Sequence, residues 1–420
     1  MTQPRSSAWL KLLSRFVSVQ ILVQVLGFIT GLLVVRTLDK PSYAQYAAIA
    51  AIIASMILVS DGGVSSTLLS VGSRVFRSKD RIAALFTTAG RYRAWIGAGV
   101  SLLSAPLLIF ILIRNGATVG DSLVYAAIAV ASFWPTVAKG ISQNYLRLAG
   151  AAVRIQIYSL VAAVARVVLV LALSSLGFDT LLPYLLVSVV AAVIEMLLVR
   201  RYFRSQVPAS GVYSPHLASM IGANLKHTMP STLLVVAQGQ VLFLLLSILG
   251  TPDTLAEVAA LSRFALVFVL LNAAVTDIGS GIAARAAPTR HRLLRVLAAI
   301  VGSYLVLAAL FVLAAWILSP QLIWLLGPQY SGLETQLVII AAGSALINLA
   351  VALRTFNYSR GWVQLSWLLL PLMVGWVALG VFVFDLDTST GAALFMATQG
   401  IATLTTQVAC ALAGYRKLRA

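Results

Sequence analysis

Charge is what this sequence has least of. Only 10% of its 420 residues are Asp, Glu, Lys or Arg, against about 25% in soluble domains. With 60% hydrophobic residues, that deficit excludes a soluble globular fold and marks a polytopic membrane protein. Acidic residues are scarcer still, twelve against thirty basic ones, for a formal net charge of +18. Cys410 is the only cysteine, so an intrachain disulfide and any CxxC metal spacing are excluded. The three histidines, His216, His227 and His291, fall near segments between apolar runs. No metal site and no cofactor are expected. Walker and G-x-G-x-x-G phosphate loops are absent from the sequence. With no soluble domain and no His/Asp pair in a span, the chain is not expected to be an enzyme.

What is there is a series of long apolar runs. A helix of about 20 apolar residues crosses the roughly 30 Å hydrocarbon core. Twelve such spans are read at 17–37, 43–61, 92–113, 120–141, 154–176, 181–201, 229–250, 256–278, 295–318, 332–353, 362–384 and 390–412. Gly, Pro, Asp and Ser mark the breaks between them. The basic, then apolar N-terminus looks like the start of a signal peptide. Its apolar run is too long for an h-region and no A-x-A site closes it, so it reads as an uncleaved first helix. The expected fold is an all-α polytopic membrane protein with about twelve transmembrane helices in two six-helix pseudo-repeats. The halves would be 1–204 and 229–420, with a cytoplasmic linker at 205–228.

The charges alternate with the loops. One set of loops, with both termini, holds almost all the arginines and lysines, from Arg5 to Arg419, offset only by Asp80. The opposite loops hold Arg36, Lys40 and Arg114 against eight acidic residues, including Asp121, Asp179, Glu257, Asp385 and Asp387. The positive-inside rule then puts both termini in the cytoplasm. It also explains the net charge without nucleic acid as a partner: the basic residues are topogenic and can meet anionic lipid headgroups.

A few polar groups remain inside the apolar runs. Arg166 sits in the middle of span 154–176, where an arginine costs about 2.5–3.5 kcal/mol on insertion scales. Two readings are open. In one, Arg166 pairs with Glu195 of the next span and fixes helix packing. In the other, it lines a cationic, water-filled cavity for an anionic substrate. Glu195 is the nearest sequence candidate to neutralise Arg166 or Arg154. Arg263, Gln24, Gln238, Gln240 and Asn272 are further candidates for a substrate cavity; for each polar group an ordinary interhelical hydrogen bond is the alternative. Asp61 and Asp277 end the second helix of each half and are candidates, with Glu195, for charge pairs or gating. The sequences Ser60-Asp61-Gly62-Gly63 and Thr276-Asp277-Ile278-Gly279 correspond in this way. So do the lead-ins Leu38-Asp39-Lys40-Pro41 and Leu249-Gly250-Thr251-Pro252. An even number of spans returns the chain to the same side, so the two halves would form a parallel repeat.

Several short motifs, in order, resemble one family. The first span leaves through Gly31-Leu32-Leu33-Val34-Val35-Arg36-Thr37-Leu38, followed by Pro41-Ser42-Tyr43-Ala44-Gln45-Tyr46-Ala47. This is similar to a common G-x-x-x-[YF]-G-x-[YF] turn, with Asp39 and Ala44 where glycine is usual. Asp61-Gly62-Gly63-Val64-Ser65-Ser66 and Leu325-Leu326-Gly327-Pro328-Gln329-Tyr330 match further elements. The chain thereby resembles the polysaccharide transporter branch of the multidrug/oligosaccharidyl-lipid/polysaccharide (MOP) exporter superfamily, the Wzx-type flippases. That resemblance implies a MATE-like MOP fold in a bacterial inner membrane. It implies flipping of a polyprenyl-diphosphate-linked oligosaccharide to the outer leaflet for O-antigen, capsule or exopolysaccharide synthesis. Implied partners are this lipid-linked substrate, the bilayer, and a polysaccharide polymerase with its assembly proteins. The lipid II flippase branch usually carries two further helices, which twelve spans do not provide. The rival readings are a drug/cation antiporter of the same superfamily, which wants exchangeable carboxylates in its spans, and a membrane-embedded polysaccharide polymerase, which wants a large outer loop.

Overall fold

The computed structural model describes residues 6–76, 78–208, 211–268 and 289–417, and these are helical without a β-strand. The helices are α1 (Ser6–Thr37), α2 (Lys40–Asp61), α3 (Val64–Val75), α4 (Lys79–Arg114), α5 (Val119–Leu148), α6 (Ala152–Ser175), α7 (Leu181–Gln206), α8 (Pro215–Leu249), α9 (Pro252–Leu261), α10 (Arg290–Ile317), α11 (Ser319–Leu326), α12 (Glu334–Ser359), α13 (Leu369–Val383) and α14 (Ser389–Lys417). Nine helices among the described residues are long and apolar enough to cross a membrane. The expected span 229–250 lies within α8 but for its last residue, and 390–412 lies within α14. The span 256–278 begins in α9 and passes beyond the described residues at 269–288.

Local chemistry sets the breaks. The Asp39 side chain caps α2 by accepting from the Ser42 amide at 3.2 Å, with Pro41 in the first turn. Thr251 caps α9 in the same manner, its hydroxyl accepting from the Thr254 amide at 3.2 Å, with Pro252 as the first helical residue. An oxygen at the N-cap satisfies an amide that the helix leaves open, and proline there loses nothing. The two lead-ins that correspond in sequence therefore start their helices alike, offset by one residue. At the other end of α2, Gly62 and Gly63 adopt φ of +47° and +107°, a region that a Cβ disfavours. The chain turns there into α3.

The chain divides into two compact units, Met1–Leu244 and Leu245–Ala420. The division falls inside α8, whose first turns bond to the first unit. In that unit, α1 packs on α6, α6 on α7, α7 on α5, α5 on α4 and α4 on α2. Its closed core lies at the end rich in arginine, referred to below as the basic end. Val64, Leu68 and Val71 of α3 pack there with Ile82, Leu85 and Phe86 of α4 and Tyr145 and Leu146 of α5. In the second unit, α12 packs on α14 and α10 on α12. A Cβ on Gly343 would stand 2.2 Å from the Ala397 Cα, and one on Gly400 would stand 2.9 Å from the Ile347 amide nitrogen. Such close backbone approach is what small residues permit where lipid removes the hydrophobic drive between helices. Some large apolar side chains face outward, among them Phe382 of this unit at 90% exposure, while Tyr304, Phe356 and Phe395 are buried inside it.

Candidate functional site

Two polar clusters lie in the first unit. The deeper one joins α5, α6 and α7. Lys139 Nζ donates to Glu195 Oε2 at 2.7 Å, and the Ser159 hydroxyl donates to Glu195 Oε1 at 2.6 Å. Both charged side chains are mostly buried. Glu195, the nearest sequence candidate to neutralise Arg166 or Arg154, pairs with Lys139 instead. The cause is helix length. The sequence reading ended the α5 span at 141 and put Lys139 among the loop residues, whereas α5 continues to Leu148. Lys139 thus sits two and a half turns inside a helix that packs directly on α7. Arg154 stacks over the Tyr202 ring, 4.6 Å from its centroid.

Arg166 lies seven residues beyond Ser159, on the same face of α6 and about 10 Å further along it. It is half-buried, and its Nε is buried without a hydrogen-bond partner among the described residues. Span carboxylates in this unit are already engaged: Glu195 by Lys139 and Ser159, and Asp61 by the groups described next. Arg166 is thereby left without a carboxylate partner among the described residues. Towards the basic end of α6, Gln156 Nε2 donates to Gln20 Oε1 of α1 at 2.6 Å. Gln24, one turn from Gln20, is half-buried.

The second cluster surrounds the Asp61-Gly62-Gly63 turn. Arg93 of α4 is 3% exposed, and its Nη1 lies 3.4 Å from Asp61 Oδ1. Its guanidinium lies against Gly140 of α5, where a Cβ would stand 2.7 Å from Nη1. The Ser65 hydroxyl donates to Asp61 Oδ1, and Asn144 Nδ2 donates to Ser65 Oγ at 2.9 Å. From α8, the Thr228 hydroxyl donates to the Gly62 carbonyl at 2.5 Å, and Asn224 Nδ2 reaches the Gly63 carbonyl at 3.2 Å and Thr67 Oγ1 at 2.7 Å. These bonds tie the start of α8 to the first unit. Arg93, Lys139 and Asn144 were missed as site residues because the sequence reading placed or grouped them with the loops.

The other expected site residues are not brought into these clusters. Arg263 is half-buried in a 3-10 turn at Ser262–Ala265 of the second unit and has an interaction partner. Asn272 and Asp277 lie outside the described residues, as do the side chains of Gln238 and Gln240. Glu257, expected in an outer loop, is instead buried in α9, where Ser389 of α14 donates to its carboxylate. Among the described residues no group of His, Cys, Asp and Glu could hold a metal ion.

No family model and no curated protein matches the sequence. Solved structures do. A multidrug-resistance MATE-family transporter of the MOP superfamily, in an inward-facing conformation, is similar with a TM-score of 0.75 at 16% identity, over 94% of each chain. The lipid II flippase MurJ, in an inward closed conformation, has a TM-score of 0.76 at 12% identity, over 96% of this chain and 89% of that one. A MOP-superfamily transporter from Pyrococcus furiosus, described as having a binding pocket of reverse polarity, has a TM-score of 0.58 at 15% identity. At these identities the likeness is one of fold: this is an all-α, multi-pass membrane protein with the MOP architecture.

Proposed function

We propose that the protein is a transporter that moves a polyprenyl-diphosphate-linked oligosaccharide from the inner to the outer leaflet of a bacterial inner membrane. The observation that carries this reading is Arg166: a half-buried cation near mid-span, with no carboxylate partner among the described residues. An arginine in that setting costs several kcal/mol unless water or an anion meets it. A diphosphate, or an acidic sugar, is such an anion, and a guanidinium offers it forked donors. The polyprenyl tail can stay in lipid while the head crosses. The same fold serves a lipid II flippase and drug transporters alike, so the charge of the site favours the flippase reading. A cation antiporter wants exchangeable carboxylates, and Glu195 and Asp61 already have basic partners. Lipid-linked oligosaccharide would be the substrate, with the polymerase downstream and no cofactor or nucleic acid involved.

Deletion of the gene tests the proposal. Surface polysaccharide should fall while lipid-linked oligosaccharide accumulates on the inner leaflet. Re-expression of Arg166→Lys should restore part of the export. Arg166→Ala should lower it by about tenfold or more, since a hydrogen bond to a charged group contributes about 1.5–3 kcal/mol. Both variants should insert at normal levels. Unchanged surface polysaccharide with raised sensitivity to cationic drugs would replace this reading by the antiporter one.

A further inference from the structure

A groove of about 350 Å³ opens at the basic end of the first unit between α4, α5 and α7. Its floor is apolar, with Phe86, Ile141 and Phe203, and its rim carries Arg200 and Arg204. These two arginines are one turn apart on α7, exposed, and without a carboxylate partner among the described residues. None of the groups in the two polar clusters lines this groove, so it is separate from the candidate substrate site.

Helix lengths give its depth. At 1.5 Å per residue, Arg200 stands about 29 Å from the start of α7, and Ser142 of the groove about 35 Å from the start of α5. Thr87 stands about 41 Å from the far end of α4. The hydrocarbon core is about 30 Å thick, with headgroups extending the bilayer to about 40–45 Å. All three helices therefore bring the groove to the headgroup layer of one leaflet. Trp95, 79% exposed and two turns inward from Thr87 on α4, sits where interfacial tryptophans gather.

We infer that this groove binds the headgroup of an anionic glycerophospholipid from the adjacent leaflet, with Arg200 and Arg204 on the phosphodiester and the apolar floor under the first carbons of the chains. Basic pockets between transmembrane helices on the cytoplasmic side bind anionic headgroups by this chemistry. The volume is at the lower limit of small-molecule sites. It suits a phosphodiester and its glycerol, not a diphosphate-linked oligosaccharide. The bound lipid would fasten the end of α7 to α4 and α5.

The test uses the full chain purified into nanodiscs of equimolar phosphatidylglycerol and phosphatidylcholine, followed by mass spectrometry of the lipids retained on release into detergent. Wild-type protein should retain phosphatidylglycerol selectively and melt higher with it than with phosphatidylcholine alone. Arg200→Gln/Arg204→Gln should weaken retention by about fivefold per arginine, while Arg200→Lys/Arg204→Lys should keep most of it. Ala138→Phe, which fills the groove and leaves both charges, should also lose it. Arg74→Gln/Arg81→Gln removes two exposed arginines from the same end outside the groove and should change little. Equal loss in that control would mean diffuse surface attraction and overturn the site. Full protection by inorganic phosphate would assign the groove to a free anion and overturn the lipid. Retention that survives both the glutamine pair and Ala138→Phe would remove the groove from consideration.

Discussion

Lys139 and Glu195 show how a single pair can reverse the reading of a sequence. Glu195 was visible as a charge in an apolar run, and so was Arg166, and pairing them across neighbouring helices α6 and α7 was the simplest solution. The partner that sequence could not supply was Lys139, hidden by a hydropathy boundary that cut α5 short by about two turns. Nothing marks that boundary chemically: α5 runs through Pro135, and no further proline and no glycine at φ > 0 follows before Gly150. Removing one partner of a mostly buried pair leaves the other charge uncompensated, at a cost of about 3–5 kcal/mol, whereas replacing both by apolar groups is often near neutral. Lys139→Met should therefore lower the melting temperature in detergent markedly, and Lys139→Met/Glu195→Leu should recover most of the loss. A double variant as unstable as the single one would show that Ser159 or water, not the ion pair, is the partner that matters. Arg166 is the opposite case: its position was plain in the sequence, and its isolation became visible only once Glu195 had been given elsewhere.

Among the elements, the long ones were readable and the short ones were not. A transmembrane helix announces itself by some 20 apolar residues, so α2 and α6 coincide closely with the expected spans, while α1, α7 and α12 cover theirs almost entirely and run five to eleven residues past one end. The amphipathic α3 does not: at 12 residues it is too short and too polar for a span, and hydropathy leaves it in the segment between spans 43–61 and 92–113. The extension of α4 back to Lys79 was lost in the same way. Yet α3 holds the turn that the family-like motif Asp61-Gly62-Gly63 makes, and the motif now has a physical content. Gly63 is at φ +107°, and a Cβ there would stand 2.1 Å from Thr228 Oγ1. A Gly63→Ala substitution meets both a disfavoured backbone region and a clash, and should destabilise by more than about 1 kcal/mol. Thr228→Val, which keeps the shape and deletes the donor to the Gly62 carbonyl, should cost about 1 kcal/mol. Thermal melts of both in one detergent check this. If Gly63→Ala melted like wild type, the turn would have to adopt a different conformation in the membrane. At the α12–α14 crossing, the same logic makes Gly343→Leu more damaging than Gly375→Leu, since only the former has a neighbour in the space of its Cβ.

At the scale of the whole chain, fold class came from composition alone, because scarce charge and long apolar runs leave few alternatives to a helical bundle in lipid. The repeat was less legible. Its clearest trace is the pair of N-caps, Asp39 and Thr251, each followed by an early proline, while Asp277 lies beyond the described residues. Orientation rests on charge placement. Arg74, Arg91, Arg147, Arg200 and Arg204 gather at one end of the first unit, near the ends of α3, α5 and α7 and the early turns of α4. Arg114, Asp121 and Asp179 stand at the other ends of the same helices or in the adjoining turns. In the second unit, Asp385 and Asp387 lie in the turn between α13 and α14, and α14 then runs 29 residues to Arg416 and Lys417. A helix of that length rises about 43 Å, enough to carry its basic end across the bilayer. Positive charge is retained on the cytoplasmic side during insertion, so the basic end of each unit and both termini should be cytoplasmic. A reporter active only in the cytoplasm should work when fused after Lys417 and fail when inserted between Asp385 and Asp387. Activity at the turn and silence at the terminus would invert the molecule. The headgroup groove between α4, α5 and α7 would then face the opposite leaflet.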